Sequence, residues 1–490
     1  MRNMIKGILA VSLCVTSIQA ETFHDKTFMK PRTVSDNLAM EYSTWHKEFN
    51  AFKKETTNDR FGGTIQAVPF YQKSTNKKDL GNYFGAFNEN VGYNVVQDSI
   101  DVGYGLNSKV LYPHEIIHNP GYEVTQVNSL FSQAKFRPTQ ESYGVRLDYH
   151  QDLNEFVKGL FFKVNLPVVY VKNDMGIVYT GTGLTQSLPN GLGTGDAKSL
   201  LDYLSGSITT TMQEPLTHAK IHGSRSKSGV ADIQVAVGYT LLDEANKYMS
   251  GFVQGIIPTS NQPEGEYLFE PVYGNGRHWG VGAGLDGRFE VWKKDDMSVD
   301  VLFAMQAEYL FKASEMRTLG YAVAGKVVPF GYYKLAGQIG KLTVFPAANV
   351  LTRKVGVVPG GQFEGMAGFV FNWGKFTFDL DYTLFMKERE TIELRDWDDG
   401  IYGIVSQSFL TTSAFAAGDG TMITQANGLS IEAASTPAQV THKLSGGFGY
   451  CFNEWKYPVL LGLGGSYEWL PGRNSGLEGY AAWAKVGIDF

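Results

Sequence analysis

Two cysteines are all that 490 residues contain, and one of them, Cys14, lies within the first twenty positions. If that leader is removed, Cys451 stands alone and no internal disulfide can form. Proline is sparse at 17, and charged residues make up only 19% of the chain. No stretch beyond the leader offers the ~18 consecutive apolar residues of a membrane-crossing helix. A formal net charge of −6 argues against nucleic acid as a partner. Glycine (56), tyrosine (26) and phenylalanine (31) are abundant. Glycine and aromatics at moderate hydropathy fit a β-barrel, in which half of each strand faces water.

The leader reads as a signal peptide over residues 1–20. Arg2 and Lys6 precede an apolar run from Ile8 to Val15, and Ala20 supplies a small residue for cleavage. The mature chain is expected to start at Glu21. Leu13 before Cys14 is too large for a lipidation signal.

At the other end, GYAAWAKVGIDF (479–490) alternates strictly. Tyr480, Ala482, Ala484, Val486, Ile488 and Phe490 form an apolar series, and Gly479, Ala481, Trp483, Lys485, Gly487 and Asp489 the other. Period two describes a strand with one oily and one wet face. A long strand that ends the chain on an aromatic residue resembles the closing strand of bacterial outer-membrane β-barrels. That resemblance implies recognition by the barrel-assembly machinery through Tyr480, Val486, Ile488 and Phe490.

Between these ends, residues 21–60 are expected to form a periplasmic or plug segment. Ser35-Asp36-Asn37 can cap an amphipathic helix over Asn37–Lys54, with Leu38, Met40, Tyr42, Trp45, Phe49 and Phe52 on its apolar face. Phe61–Gln72 and Tyr93–Gly105 are candidate strands. Alternating segments then follow from about Leu130 to the end, and Phe363–Met386 is the clearest hairpin.

Counting back from Phe490 sorts the connections into two kinds. Long ones fall at Leu470–Leu477, Lys387–Pro437, Ala347–Gly360, Ala313–Thr318, Ser260–Arg277 and Asn173–Gly229. Short ones fall at Asn453–Lys456, Gly374-Lys375, Gly331–Tyr333, Lys293–Asp296, Asp243–Asn246 and Gln151–Glu155. That alternation fits long outer loops and short inner turns on a barrel at 61–490. Trp279, Trp292, Trp373, Trp455 and Trp469 cluster at strand ends, as interfacial aromatics do. The expected fold is all-β: a transmembrane antiparallel up-and-down barrel of about fourteen strands, or sixteen if Phe61–Gln72 and Tyr93–Gly105 join the wall.

Chemistry is thinly marked. His114-Glu115-Ile116-Ile117-His118 matches a zinc-protease spacing, but Pro113 and Pro120 leave too little helix to present both imidazoles on one face. Asp396-Trp397-Asp398-Asp399-Gly400 lacks the glycine position of a calcium loop. No catalytic group, metal or cofactor is expected. The charges opposite the apolar series are more informative: Arg146, Asp148, His150, Asp286, Arg288, Glu290, Glu308, Asp379, Asp381, Lys387 and Lys485. On a barrel they face a hydrated lumen, where they brace the wall or contact solute.

Three runs carry a narrower likeness: ADIQVAVGYTLL (231–242), SGFVQGIIPTSNQPEG (250–265) and GNGRHWGVGAGLDG (274–287). They resemble the middle of the fatty-acid and phenol-pathway outer-membrane transporter group, with Ser260 where the group has glycine after Pro-Thr. The resemblance implies fourteen strands, an N-terminal plug and apolar substrates. The expectation is therefore an outer-membrane channel for small-molecule solutes in contact with outer-membrane lipid, its oligomeric state unspecified. The alternative is a surface adhesin or receptor acting through its long loops 173–229 and 387–437.

Overall fold

The computed structural model describes residues 25–34, 37–46, 62–84, 132–181, 200–207, 213–244, 246–405, 414–471 and 475–490. The leader, the strand expected at Tyr93–Gly105 and the His114–His118 motif lie outside them.

Twelve antiparallel strands close into one ring among the described residues. In chain order they are β1 (Gly63–Ser74), β2 (Thr139–Asp152), β3 (Leu160–Asp174), β4 (Ile233–Glu244), β5 (Lys247–Ile257) and β6 (Gly280–Lys294). The second half is β7 (Met297–Leu310), β8 (Gly360–Trp373), β9 (Phe376–Lys387), β10 (Gln439–Phe452), β11 (Val459–Trp469) and β12 (Gly479–Asp489). Closure is made by β1 against β12, in register from Thr64↔Asp489 to Ser74↔Gly479. Phe490 finishes the seam: its N–H donates to Gly63 O at 2.8 Å, and Gly63 N–H donates to Phe490 O at 2.7 Å.

Eleven residues, the length of β11 and β12, extend about 36 Å at ~3.3 Å each. Tilted by about 40°, they cover roughly 28 Å, enough to cross a hydrocarbon layer. The faces are inside out relative to a water-soluble protein. Val253 (64%), Leu463 (63%) and Phe369 (52%) are exposed, whereas Arg146, Asp286, Asp381 and Lys485 are buried. Trp279, Trp292, Trp373 and Trp455 are exposed as well. Apolar outside and charged inside is the arrangement lipid requires of a barrel.

The expected fourteen or sixteen strands are corrected to twelve. Ala313–Thr318 is not a bare loop but a strand paired with Thr352–Val358, and Leu335–Gln338 pairs with Val344–Pro346. None of these joins the ring; together with the 3-10 turn Gly331–Tyr333 they belong to one long connection from β7 to β8. Gly331–Tyr333 is therefore not an inner turn. Its tyrosines are buried among other loop residues, so local alternation there reflects a second core rather than lipid.

That second core caps one end of the barrel. It draws Leu80 and Tyr83 from the β1–β2 loop, Tyr203 from β3–β4, Phe269 from β5–β6, Tyr333 from β7–β8 and Ile423 from β9–β10. Among the described residues, the opposite end carries only short turns. A further strand, Ser224–Val230, pairs with β3 outside the ring. The handover lies at Pro167: β3 pairs with β4 up to Asn165 and with the extra strand from Val168. Proline has no N–H, so the ladder breaks there without a lost donor.

Candidate functional site

The barrel interior is occupied by the chain's own residues 25–34 and 37–46, which run from the loop cap to the turn end. At the cap, Lys26 N–H donates to Tyr83 O (3.0 Å) and Thr27 N–H to Ala433 O (2.9 Å). The Arg317 guanidinium stacks 3.4 Å from the Phe28 ring centre. Arg317 also pairs with Glu315 (2.5 Å) and Glu390 (3.1 Å), and Lys30 reaches Glu390 at 3.0 Å. His278 sits 2.7 Å from both Glu315 Oε1 and Phe311 O. Burial raises the Glu390 carboxyl, but Arg317, Lys30 and Lys387 outweigh it and hold it well below the usual carboxylate range. Glu315 is likewise held low, by Arg317 and Lys30 against burial.

Further in, Arg32 pairs with Glu364 on β8 and with Glu468 on β11 (3.3 Å), its guanidinium 4.5 Å from the Phe385 ring centre. Lys443 on β10 joins Glu468 at 3.1 Å. Helix α1 (Leu38–Tyr42) follows, with Asn37 Oδ1 accepting from Met40 N–H at 3.3 Å as its cap. The wall grips it at both ends. Arg146 donates to Asn37 O (2.9 Å), pairs with Glu41 (2.5 Å) and is oriented by Asp148 (2.8 Å). Lys485 donates to Glu41 O (2.8 Å) and Ser43 O (2.6 Å), a cation on the carbonyls at and just beyond the helix C-terminus.

The helix stops at Tyr42, short of the expected Lys54, and Ser43 is extended; residues 47–54 lie outside the described set. Thr44 has a φ of 60°, and its N–H donates to Asp379 Oδ2 at 2.6 Å. It sits in a notch that only glycine permits. A Cβ at Gly462 would lie 2.5 Å from Thr44 Oγ1, and one at Gly447 would lie 2.8 Å from Thr44 Cγ2. Trp483 Nε1–H donates to Ser43 Oγ (2.9 Å), and Thr377 Oγ1–H to Trp45 O (2.7 Å). Arg288 lies 4.4 Å from the Trp45 ring centre and pairs with Asp300 at 3.6 Å. His46 Nε2 is 3.0 Å from Gly374 O in the β8–β9 turn.

The structure thus brings Arg146, Asp148, Arg288, Asp379 and Lys485 together around one segment. Asp381 is buried beside Asp379 on β9, and Asp286 accepts from Ser250. Of the other charges picked out by alternation, Lys387 donates to Lys30 O at 3.1 Å, His150 pairs with Asp152 at 3.2 Å beside a cavity next to α1, Glu308 accepts from Gln234 Nε2–H at 3.0 Å, and Glu290 lies near Lys293 (3.9 Å) by the β6–β7 turn. Tyr480, Val486, Ile488 and Phe490 are exposed on the outside of the seam. Asp399 accepts from Gln425 N–H at 2.6 Å as a loop brace.

Sequence reasoning missed Lys163, Glu364, Lys443 and Glu468, which lie on the same wet faces and could have been found by the same alternation. It also missed Arg32 and Glu41, for which no period exists to find them.

Of the cavities around this segment, two share no lining residue with each other. One, of about 90 Å³, lies toward the cap and is lined by Arg32, Asn37 and Lys443. The other, of about 40 Å³, lies beyond α1 and is lined by Leu38, Glu41 and Lys163. Arg146 with Glu41 stands between them.

Fold and site define a membrane-spanning β-barrel with its lumen filled from its own N-terminal side. No family model matches the chain, and no curated protein matches it. Among solved structures it is similar to the COG4313 outer membrane channel from Pseudomonas putida F1, at 10% identity and a TM-score of 0.37, covering 89% of this chain and 100% of that one. It is similar to the Pseudomonas putida toluene transporter TodX at 9% identity and a TM-score of 0.35, covering 96% and 97%. The transport unit of the autotransporter AIDA-I from Escherichia coli gives 8% and 0.33, covering 94% and 99%. At such values none of the three bears on substrate or mechanism.

Proposed function

We propose that the protein is an outer-membrane channel that passes small solutes by diffusion, with residues 25–34 and 37–46 as the constriction. In this reading residues 1–20 are a signal peptide, the cap faces the cell exterior, the turns face the periplasm and Phe490 is read by the assembly machinery. The supporting observation is the way the lumen is filled. The segment is held to the wall by ion pairs and hydrogen bonds to residues such as Arg146, Asp379 and Lys485. Water and solute can replace such contacts; beside them Leu38, Met40, Tyr42 and Trp45 pack in an apolar cluster with Val68, Leu302, Val370 and Trp483 of the wall.

Reconstitution in planar bilayers tests the reading. Stepwise currents are expected, infrequent with the segment seated and more frequent in variants that displace it. Folded barrels that stay silent in both forms would refute it. A second reading, a surface receptor or adhesin, draws on the cap, whose buried aromatic core gives the loops a fixed shape. Binding to cells that disappears with the β7–β8 loop, from a barrel that never conducts, would favour it.

A further inference from the structure

The two lumen cavities have a common chemistry. The larger presents Gln72, Gln140 and Gln439 with Ser142, Thr441 and Ser466. The smaller presents Gln66, Gln234, Gln254 and Gln306 with Thr64 and Asn165. Seven glutamines from β1, β2, β4, β5, β7 and β10 thus converge on one path.

Charged groups line the same spaces, but they are engaged with each other. Lys443 and Arg32 share Glu468, Lys73 holds Glu141, and Glu478 accepts from Leu470 N–H. Glu41 and Asp148 hold Arg146, while Lys163 lies 3.8 Å from Asp286. Beside these paired charges the lining consists largely of amides and hydroxyls, each able to donate or accept a hydrogen bond and neutral in itself.

The amides are also held in orientation. Glu308 accepts Nε2–H from Gln234 (3.0 Å), from Gln254 and from Gln362. Spending its N–H on that carboxylate turns the Gln254 carbonyl oxygen the other way, as an acceptor. An apolar solute would strip water from such groups and return no hydrogen bond, leaving each of them unsatisfied. An ion would have to compete with pairs already made.

We propose that the two cavities are successive subsites for a small neutral polyhydroxylated solute, of the polyol or simple-sugar class. The proposal rests on the channel reading and departs from the apolar substrates that the transporter resemblance implies. Each hydroxyl meets a donor–acceptor group on the wall, and the solute moves between subsites when α1 yields at the Arg146–Glu41 contact.

Full-length protein in liposomes tests it, with osmotic swelling measured in xylitol, in glucose and in potassium gluconate, alongside uptake of toluene. Xylitol and glucose are expected to swell the vesicles several-fold faster than gluconate. Gln254→Leu with Gln306→Leu is expected to slow polyol entry about five- to tenfold, in the range of one or two lost hydrogen bonds, and to weaken the block of ion current by xylitol. Block of wild-type ion current by millimolar xylitol gives a readout that needs no variant. Ion current without polyol preference or block, or toluene as the preferred solute, overturns the solute class and leaves the channel standing. Absence of current from wild type and from a segment-displacing variant, in barrels shown folded by heat-modifiable gel migration, overturns both.

Discussion

Replacing Gly462 by alanine is expected to drive the lumen segment out of its seat. The new methyl would lie 2.5 Å from Thr44 Oγ1 and 3.0 Å from its Cγ2, both closer than carbon atoms tolerate without movement. Gly447 and Gly449 of β10 complete the seat: a Cβ at either would lie 2.8 Å or 3.0 Å from the Thr44 side chain. The Thr44 N–H is tied to Asp379 at 2.6 Å. Overpacking of this kind costs about 1–3 kcal/mol. Losing a hydrogen bond to a charged acceptor would cost roughly 1.5–3 kcal/mol. Relief of the φ of 60° at Thr44 returns part of that, on the order of 1 kcal/mol. Together these come to about 1.5–5 kcal/mol, so the seated-to-released equilibrium should shift by roughly 10- to 4,000-fold. Single-channel recording reads this as an increase in open time, with folding checked by heat-modifiable migration. Combining Gly462→Ala with Thr44→Gly should restore closure, since glycine accepts the positive φ and carries no side chain into the notch. An open time within twofold of wild type in the single variant, or no rescue in the double, would refute the reasoning.

Arg146→Met should leave Glu41 and Asp148 buried without their cation and destabilise the seated segment by about 3–5 kcal/mol; loss of protection of α1 in hydrogen exchange checks it. Arg146→Lys should rescue only partly, because the Asn37, Glu41 and Asp148 contacts use three different guanidinium nitrogens. Glu390 has a folded pKa below the ordinary 4.5, so its contribution is complete above that value. It fades as the pH falls toward the lower folded value. Protease nicking of the cap should accordingly rise in acid, and Glu390→Gln should nick readily already at neutral pH. Deleting Phe490 removes both main-chain bonds to Gly63; outer-membrane fractions should lose the folded species, and normal assembly would count against a terminal recognition signal.

The wall was legible because one physical rule governs it. In β12 the alternation of Tyr480, Val486 and Ile488 against Trp483 and Lys485 follows from lipid on one side and water or protein on the other. The same rule misled where its premise failed. The segments on either side of Gly331–Tyr333, Leu335–Gln338 among them, pack into a protein core in the cap, so counting strands there as wall inflated the strand number. Lumen charges such as Arg146 and Asp379 could be read, but their purpose could not. Their partners, Glu41 and Thr44, lie 105 and 335 positions away on a segment with no repeating pattern to fix its path. The helix expected over Asn37–Lys54 failed for a related reason: Thr44 leaves helical geometry because a glycine notch in the wall receives it.

The seam between β1 and β12 fixes the order in which this protein can become a hole. Its first wall strand must wait for its last, so the ring cannot shut until the chain is complete to Phe490. The stopper precedes β1 in the chain and ties to strands from β2 to β12. In the channel reading, a ring that shuts around it is blocked as it forms, and opening is a later, reversible act rather than a stage of assembly.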